Sequence, residues 1–414
     1  MRRILSILVV NLVVFAAFAE ILGVLVHYED TGRLFYWHQK TYELIPETAA
    51  GELSDDGLHP YFGPMHRPGV RAASNNIGFI SRYRVPWTKS GADEFTIGIF
   101  GGSVGESFCQ HGAARMVERL ASHRFFSGRR IVPLCFSHEG YKQPQQLLVL
   151  AYFLSIGQQF DLVINIDGFN EVALSAFNRD RGRDITMPSP LHLDPLLDLI
   201  AGSALTPPKI ERLAAISRHK ATINRLAAAL QRTRFASAAL VMDRYYRWTM
   251  GRYRAAVTEF AALPPTPPAA SIIEVTPPLK ADDGVVVYEH IASQWMAASL
   301  LMNDMLAGRG VPYLHVLQTN QYHTARRFSE AEARVALNVS TPFKGPVQRG
   351  YPVLMRSSNR LREQEQFFDA TAIFDDEPRP VYEDDCCHYN ELGNRLLADA
   401  IVSRVMAIDG LWAQ

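Results

Sequence analysis

Thr96-Ile97-Gly98-Ile99-Phe100-Gly101-Gly102-Ser103-Val104-Gly105-Glu106 decides how this chain is read. Thr96 to Phe100 is a short apolar run with the length of a buried strand. Two glycines and a serine follow it directly, and a helical stretch runs from about Glu106 to Ser122. Glycines at a strand-to-helix turn let the backbone bend tightly and leave the serine hydroxyl exposed. The helix that follows points its first amides at the same place, an arrangement suited to an oxyanion. By itself such a turn is also an ordinary way to join a strand to a helix.

Outward from this stretch the alternation continues. Ile131 to Phe136 (IVPLCF) reads as a second strand, Pro144 to Ile156 as a helix and Leu162 to Ile166 (LVINI) as a third strand. Strands alternating with helices of this length imply βαβ units and a mostly parallel sheet covered on both faces, an α/β fold. Residues 176–283 break the pattern and read as an insertion, with helical stretches near Lys209 to Arg234 and Tyr245 to Tyr253. Pro264, Pro265, Pro267, Pro268, Pro277 and Pro278 close it as a linker or surface-hugging segment. The insertion is either a helical cap or a lid over substrate. The pattern resumes from residue 284. Trp295, Ala298, Met302 and Met305 share a helical face that Gly308 ends. Val311 to Gln318 supplies a fourth strand, and Ser329 with Glu332 fits a capping box. Phe368 to Phe374 reads as a fifth strand and Leu392 to Met406 as a final helix.

The N-terminus has a different character. Arg2 and Arg3 precede an apolar run from Ile4 to Val26, and about 20 such residues cross a bilayer core. Residues 1–27 are read as a membrane anchor, with the paired arginines favouring a cytoplasmic N-terminus and a periplasmic or otherwise extracytoplasmic body. A cleaved signal peptide is the competing reading, because Ala17-Phe18-Ala19 has the small-x-small form of a cleavage site; Ile21 to Val26 continues the apolar run beyond it. Glu20 would lie within two turns of the outer end, where it reaches water. Residues 28–95 carry turn signals and read as a lead-in packing on the body. Lysine plus arginine and aspartate plus glutamate both number 42 among 414 residues, so no net field favours nucleic acid as a partner. The four cysteines, Cys109, Cys135, Cys386 and Cys387, contain no Cys-x-x-Cys pair, which argues against a thiolate zinc site. One of the last two is expected to pair with Cys109 or Cys135; the other reading is that all are free and buried.

Two further segments follow predicted strands, at the sheet edge where ligands bind in open α/β folds. Asp167-Gly168-Phe169-Asn170-Glu171 offers an asparagine amide to a developing negative charge. Asp384-Asp385-Cys386-Cys387-His388 places Asp385 and His388 three residues apart, as a carboxylate orienting an imidazole requires. Each segment alone is equally a cap, a turn or a solvated acidic loop.

The order serine turn, asparagine turn, Asp-x-x-His resembles the SGNH/GDSL hydrolase superfamily over residues 96–175 and 285–407. The blocks are Ser103 in Phe-Gly-Gly-Ser, Gly140 in Ser-His-Glu-Gly-Tyr, Asn170 in Gly-Phe-Asn, and Asp385 with His388 in Asp-Cys-Cys-His. The resemblance implies a three-layer α/β/α sandwich with a five-stranded sheet and a Ser103–His388–Asp385 catalytic set. It implies an oxyanion hole from the amides of Ser103 and Gly140 and the Asn170 side chain, with no cofactor and no metal. The substrate would be an acylated glycan or lipid, cleaved by an esterase or deacylase; an O-acyltransferase acting on a surface polysaccharide and a non-catalytic glycan-binding protein are the alternatives. One departure stands out: the family's usual aspartate before the nucleophile is Gly102 here. His138 is a rival base, for which the sequence offers no acid at a comparable spacing.

Overall fold

The computed structural model describes residues 2–37, 40, 42, 44–45, 56–69, 73–202, 207–261, 263, 275–280, 286–338, 341–364, 366–408 and 412. Pro264, Pro265, Pro267 and Pro268 of the expected linker lie outside the described residues, as do parts of the lead-in.

Contacts divide the chain into two compact units, residues 54–198 with 272–414, and residues 1–53 with 199–271. The larger unit is α/β. After a two-stranded antiparallel hairpin, β1 (Asp56–His59) and β2 (Gly63–His66), come β3 (Glu94–Gly101), α2 (Ser103–Ser107), a π-helical stretch (Phe108–Gly112) and α3 (Ala113–Ala121). Then follow β4 (Arg130–Ser137), α4 (Gln145–Ser155), β5 (Leu162–Asp167), α5 (Phe169–Asp180) and α6 (Pro190–Gly202), whose residues from Leu199 on belong to the smaller unit. The second half of the unit holds α9 (Val287–Ala307), β6 (Tyr313–Leu317), α10 (Glu330–Ala336), α11 (Lys344–Gln364), β7 (Gln366–Asp369) and α12 (Glu391–Met406). Five strands pair in the order β4-β3-β5-β6-β7, and every pairing is parallel.

Alternation along the strands supplies two cores, as a period of two requires. Ile97, Ile99, Leu162, Ile164 and Ile166 pack with residues of α3, α9 and α12. Phe100, Val132, Leu134, Phe136 and Val163 pack with Val149, Leu150 and Phe153 of α4. In this second core the Phe100 and Phe136 rings stack at 4.9 Å and Phe153 meets Phe136 at 4.6 Å; such pairs add about 0.5–1.5 kcal/mol each beyond their buried area. Gly98 makes room here, because a Cβ at that position would lie 2.7 Å from the Phe160 ring. The serine that follows β3 therefore stands on a rigid strand.

Several elements differ from the expected bounds. The helix expected from about Glu106 starts at Ser103 and passes through a π-helical stretch that carries Cys109. Residue 176 does not end the body: α5 runs through it to Asp180. The fifth strand covers only Gln366–Asp369, since Ala370 to Phe374 turns away in a chain of local hydrogen bonds. Ser329 caps α10 by accepting from Glu332 N at 3.2 Å, but the Glu332 carboxylate turns to Arg326 and to the amides of Val381 and Tyr382 in place of closing a box.

The smaller unit joins α1 (Arg2–Thr31) with α7 (Pro207–Arg232) and α8 (Ala236–Ala261). Residues Leu5–Thr31 form a helix long and apolar enough to cross a membrane, with mean hydropathy 2.5 in its most apolar window. It continues without a break through Ala17-Phe18-Ala19. Glu20 is not left to water. Its carboxylate accepts from Ala236 N at 2.6 Å, Ser237 N at 3.0 Å, Ser237 Oγ at 2.6 Å and Tyr36 Oη at 2.6 Å, so it caps the start of α8. Gly23 permits the approach, because a Cβ there would lie 2.4 Å from the Ala236 carbonyl carbon. Residues 28–53 of the expected lead-in belong with this helical unit, and 54–95 with the α/β unit.

Candidate active site

The turns that follow β3, β4, β5 and β6 lie at one edge of the sheet, because all the strands are parallel. Gly101 and Gly102 make the first turn possible for separate reasons. Gly101 has φ +151°, and a Cβ on it would stand 2.3 Å from the Ile166 carbonyl oxygen. Gly102 has extended backbone, but its Cβ would lie 2.1 Å from Asn170 Nδ2 and 2.9 Å from the Tyr141 oxygen. The place of a side chain at position 102 is thus filled by the asparagine amide, which accounts for glycine before Ser103. Asn170 Nδ2 donates to the Tyr141 carbonyl at 2.8 Å, so the amide bridges the serine turn and the loop after β4.

That loop is a tight turn closed by Tyr141 N donating to the His138 carbonyl at 3.1 Å. Gly140 is its third residue, with φ +74°, and a Cβ there would meet the His192 ring at 2.3 Å. A turn of this kind requires positive φ at that place. Two buried carboxylates hold the loop. Glu106, three residues after the serine, accepts from Glu139 N at 3.2 Å. Glu171 accepts from Gln143 N at 3.0 Å and Gly168 N at 2.7 Å, tying the loops after β4 and β5 together. Burial, with the Asp167 carboxylate nearby, pushes Glu171 up to about 8.

The histidine turn lies between β7 and α12. His388 Nδ1 is in hydrogen-bond contact with Asp384 Oδ2, and Asp385 does not take this part. The reason is local: Asp384 Oδ1 accepts from the backbone N–H groups of Cys386, Cys387 and His388 at 2.9, 3.0 and 3.1 Å, which turns its second oxygen onto the imidazole. Asp385 faces away, accepting from Asn338 Nδ2 at 2.7 Å. The expected Asp385–His388 pair is therefore corrected to Asp384–His388. Burial opposes ionisation of Asp384, yet the hydrogen bond and charge of His388 and the local amides hold its carboxyl below the usual range. For His388 burial works downward, and the Asp384 hydrogen bond and charge prevail, raising it above its ordinary value. The turn is clamped from β6: Asn320 Nδ2 donates to Cys386 O at 3.0 Å, Gln321 Nε2 to Asp384 O at 3.1 Å and Tyr322 Oη to Asp385 O at 2.8 Å.

Ser103 and the histidine turn meet through Cys387, whose Sγ lies 4.0 Å from Ser103 Oγ. Among the described residues no hydrogen bond joins Ser103 to His388; such contacts are commonly open before substrate binds. Burial pushes the Cys387 thiol far above its ordinary pKa, which disfavours its thiolate. Cys109 bonds to Cys135, while Cys386 and Cys387 are free with sulfurs 3.3 Å apart. The expected bridge from the histidine turn to Cys109 or Cys135 is thereby replaced: those two face each other from the π-helical stretch and β4.

Sequence reasoning missed Asp384, Glu106, Glu171 and the clamp from Asn320 to Tyr322. The adjacent Asp384 and Asp385 gave a signal that spacing alone does not resolve. Glu106 is also the acid that His138 was thought to lack, with Oε2 3.6 Å from His138 Nδ1. No family model matches the chain, and no curated protein matches it.

Proposed function

We propose that this chain is a serine hydrolase of the SGNH type, with a three-layer α/β/α body, acting on an acyl ester. The observation that carries the reading is the Asp384–His388 contact, made in a turn whose Cys387 touches the strand-end Ser103. Ser103 Oγ attacks the ester carbonyl while His388 Nε2 takes its proton, and Asp384 fixes the imidazole by its other nitrogen and stabilises the imidazolium. The oxyanion is received by the backbone amides of Ser103 and Gly140 and by Asn170 Nδ2. His388 then returns the proton to the departing alcohol, and water repeats the sequence on the acyl-enzyme. A cleft lined by Gln321, Tyr322, Leu337, Asn338, Lys344 and Gln348 lies next to the Asn338–Asp385 contact and offers both polar and apolar surface, compatible with the acyl group of an acylated glycan or lipid.

We place the body outside the cytoplasm, tethered by α1. Arg2 and Arg3 ahead of the apolar helix support that orientation, and the Cys109–Cys135 disulfide suits an oxidising compartment. The test is covalent labelling of the detergent-solubilised chain by a fluorophosphonate. Labelling is expected in the parent and absent in Ser103→Ala. A folded parent that stays unlabelled, or a Ser103→Ala variant that still labels, overturns the reading.

A further inference from the structure

Behind the serine turn lies a second group of ionisable side chains that the proposed reaction does not use. His66, at the end of β2, and His138, just past β4, are both fully shielded from solvent, and their rings meet edge to face at 4.2 Å. Glu106, buried on α2, faces both: Oε1 lies 3.4 Å from His66 Nε2, and Oε2 lies 3.6 Å from His138 Nδ1. Neither ring nitrogen of His138 has a hydrogen-bond partner. On the far side of His66, Nδ1 meets Asp56 Oδ1 at 2.5 Å. Donor atoms of His66, Glu106 and Glu139 lie within 4.8 Å of one another, and so do those of Asp56, His66 and His138.

We propose that His66 Nε2, His138 Nδ1 and the Glu106 carboxylate, completed by Glu139, form a binding site for a divalent transition-metal cation, zinc above all. Spacing is the first argument. A charge-assisted hydrogen bond closes to about 2.7–2.9 Å. Ligands sharing a tetrahedral zinc at about 2.0–2.1 Å stand about 3.4 Å apart. The gaps at Glu106, 3.4 Å from Oε1 to His66 Nε2 and 3.6 Å from Oε2 to His138 Nδ1, are longer than such a bond and near the second distance, while Asp56 and His66 are in direct hydrogen-bond contact at 2.5 Å. This is the usual division of labour at a metal-bound imidazole: one nitrogen ligates and the other donates to a carboxylate that fixes the tautomer. Charge is the second argument. Three carboxylates, Asp56, Glu106 and Glu139, stand around two imidazoles, an excess of negative charge that a dication offsets. Both ring nitrogens of His138 are buried with no hydrogen bond made, a costly arrangement that ligation relieves. Two nitrogens and two carboxylate oxygens suit zinc. Asp56 and Glu139 are only partly buried, which leaves a route from the surface.

The site joins three segments: the hairpin that carries His66, the helix that begins at Ser103, and the turn that holds Gly140. A bound cation would fix the nucleophile and the oxyanion turn relative to each other. The proposal stands on this geometry alone and holds whether or not Ser103 is a nucleophile.

The experiment strips the detergent-solubilised full chain with a chelator and titrates zinc in competition with a chromogenic chelator. One zinc per chain is expected. His138→Gln is expected to weaken binding by at least about 100-fold, and Asp56→Asn by about 10–100-fold. Joint replacement of Cys386 and Cys387 by serine should leave affinity unchanged, which separates this site from the Cys386–Cys387–His388 group. Zinc-edge X-ray absorption of the wild-type complex should show only nitrogen and oxygen ligands, near 2.0–2.1 Å. A sulfur shell near about 2.3 Å, no zinc retained by the wild type, or equal affinity in a folded His138→Gln overturns the proposal. Should that variant fail to fold, the absorption spectrum of the wild type decides alone.

Discussion

His388 and His138 both stand in turns at the same edge of the sheet, and each faces a carboxylate, yet the two arrangements differ in construction. His388 and Asp384 come from one five-residue turn, touch directly and are partly open to solvent. His138 and Glu106 come from separate segments, lie 3.6 Å apart and are buried. A carboxylate in contact with an imidazole raises its basicity and fixes which nitrogen is free, and access to solvent lets the proton leave; that is the layout of a base. A buried imidazole held at a distance from its carboxylate is shielded from solvent, which suits the ligand role proposed for it. The same residue types are thus proposed for different chemistry according to spacing and exposure.

Four measurements would break or sharpen this contrast, taken from the largest expected effect downward. Asp384→Asn should lower kcat on an activated ester by on the order of 10⁴, because the amide favours the wrong tautomer of His388; Asp385→Asn should leave it unchanged within scatter. Equal losses in the two variants would return the pairing to Asp385. Asn170→Ala should reduce turnover by about 10²–10³ with little change in KM, as loss of one oxyanion donor does; a change confined to KM would make the asparagine a substrate-binding group. Gly102→Ala forces a methyl onto Asn170 Nδ2, 2.1 Å away, and should cost about 1–3 kcal/mol in chemical denaturation. An unaffected midpoint would show that the amide moves aside freely.

The smallest effect concerns pH. His388 must be neutral to accept a proton, and its pKa is raised in the fold, so activity is lost as pH falls through a midpoint above the ordinary value of 6.5. The acid limb of kcat/KM reports that midpoint. One lying below 6.5 would assign the limb to another group, since burial without the Asp384 contact drives a histidine downward.

Much of the scaffold was legible because buried parallel strands are short unbroken apolar runs, and three such runs each lead into a candidate segment of the site. Ser103 and Asn170 were readable for the same reason, each standing where a strand passes into a helix, while His388 lies just before the Asn390 that caps α12. The choice between Asp384 and Asp385 was not, since neighbouring residues differ by one position, and the deciding factor is three amides gathered on one oxygen. Helix α11 escaped notice because Gly345, Gly350 and Pro352 look like breakers. In the fold Gly350 is required, as a Cβ there would strike Val172 of α5 at 2.4 Å. The His66–Glu106–His138 group left no trace in sequence, because its members come from three places that only the folded sheet assembles.

Glu20 has a consequence for how the protein is made. The acceptor it offers to α8 is separated from Ala236 by 216 residues. At a synthesis rate of about 5–20 residues per second, the first helix waits roughly ten to forty seconds before its partner emerges. Throughout that interval the carboxylate lacks the Ala236 and Ser237 donors that later hydrogen-bond it. The helical unit is thus completed late in synthesis, after β3 to β5 have already left the ribosome, and a chain truncated before residue 236 would keep its apolar first helix but lack the hydrogen bonds that seat it.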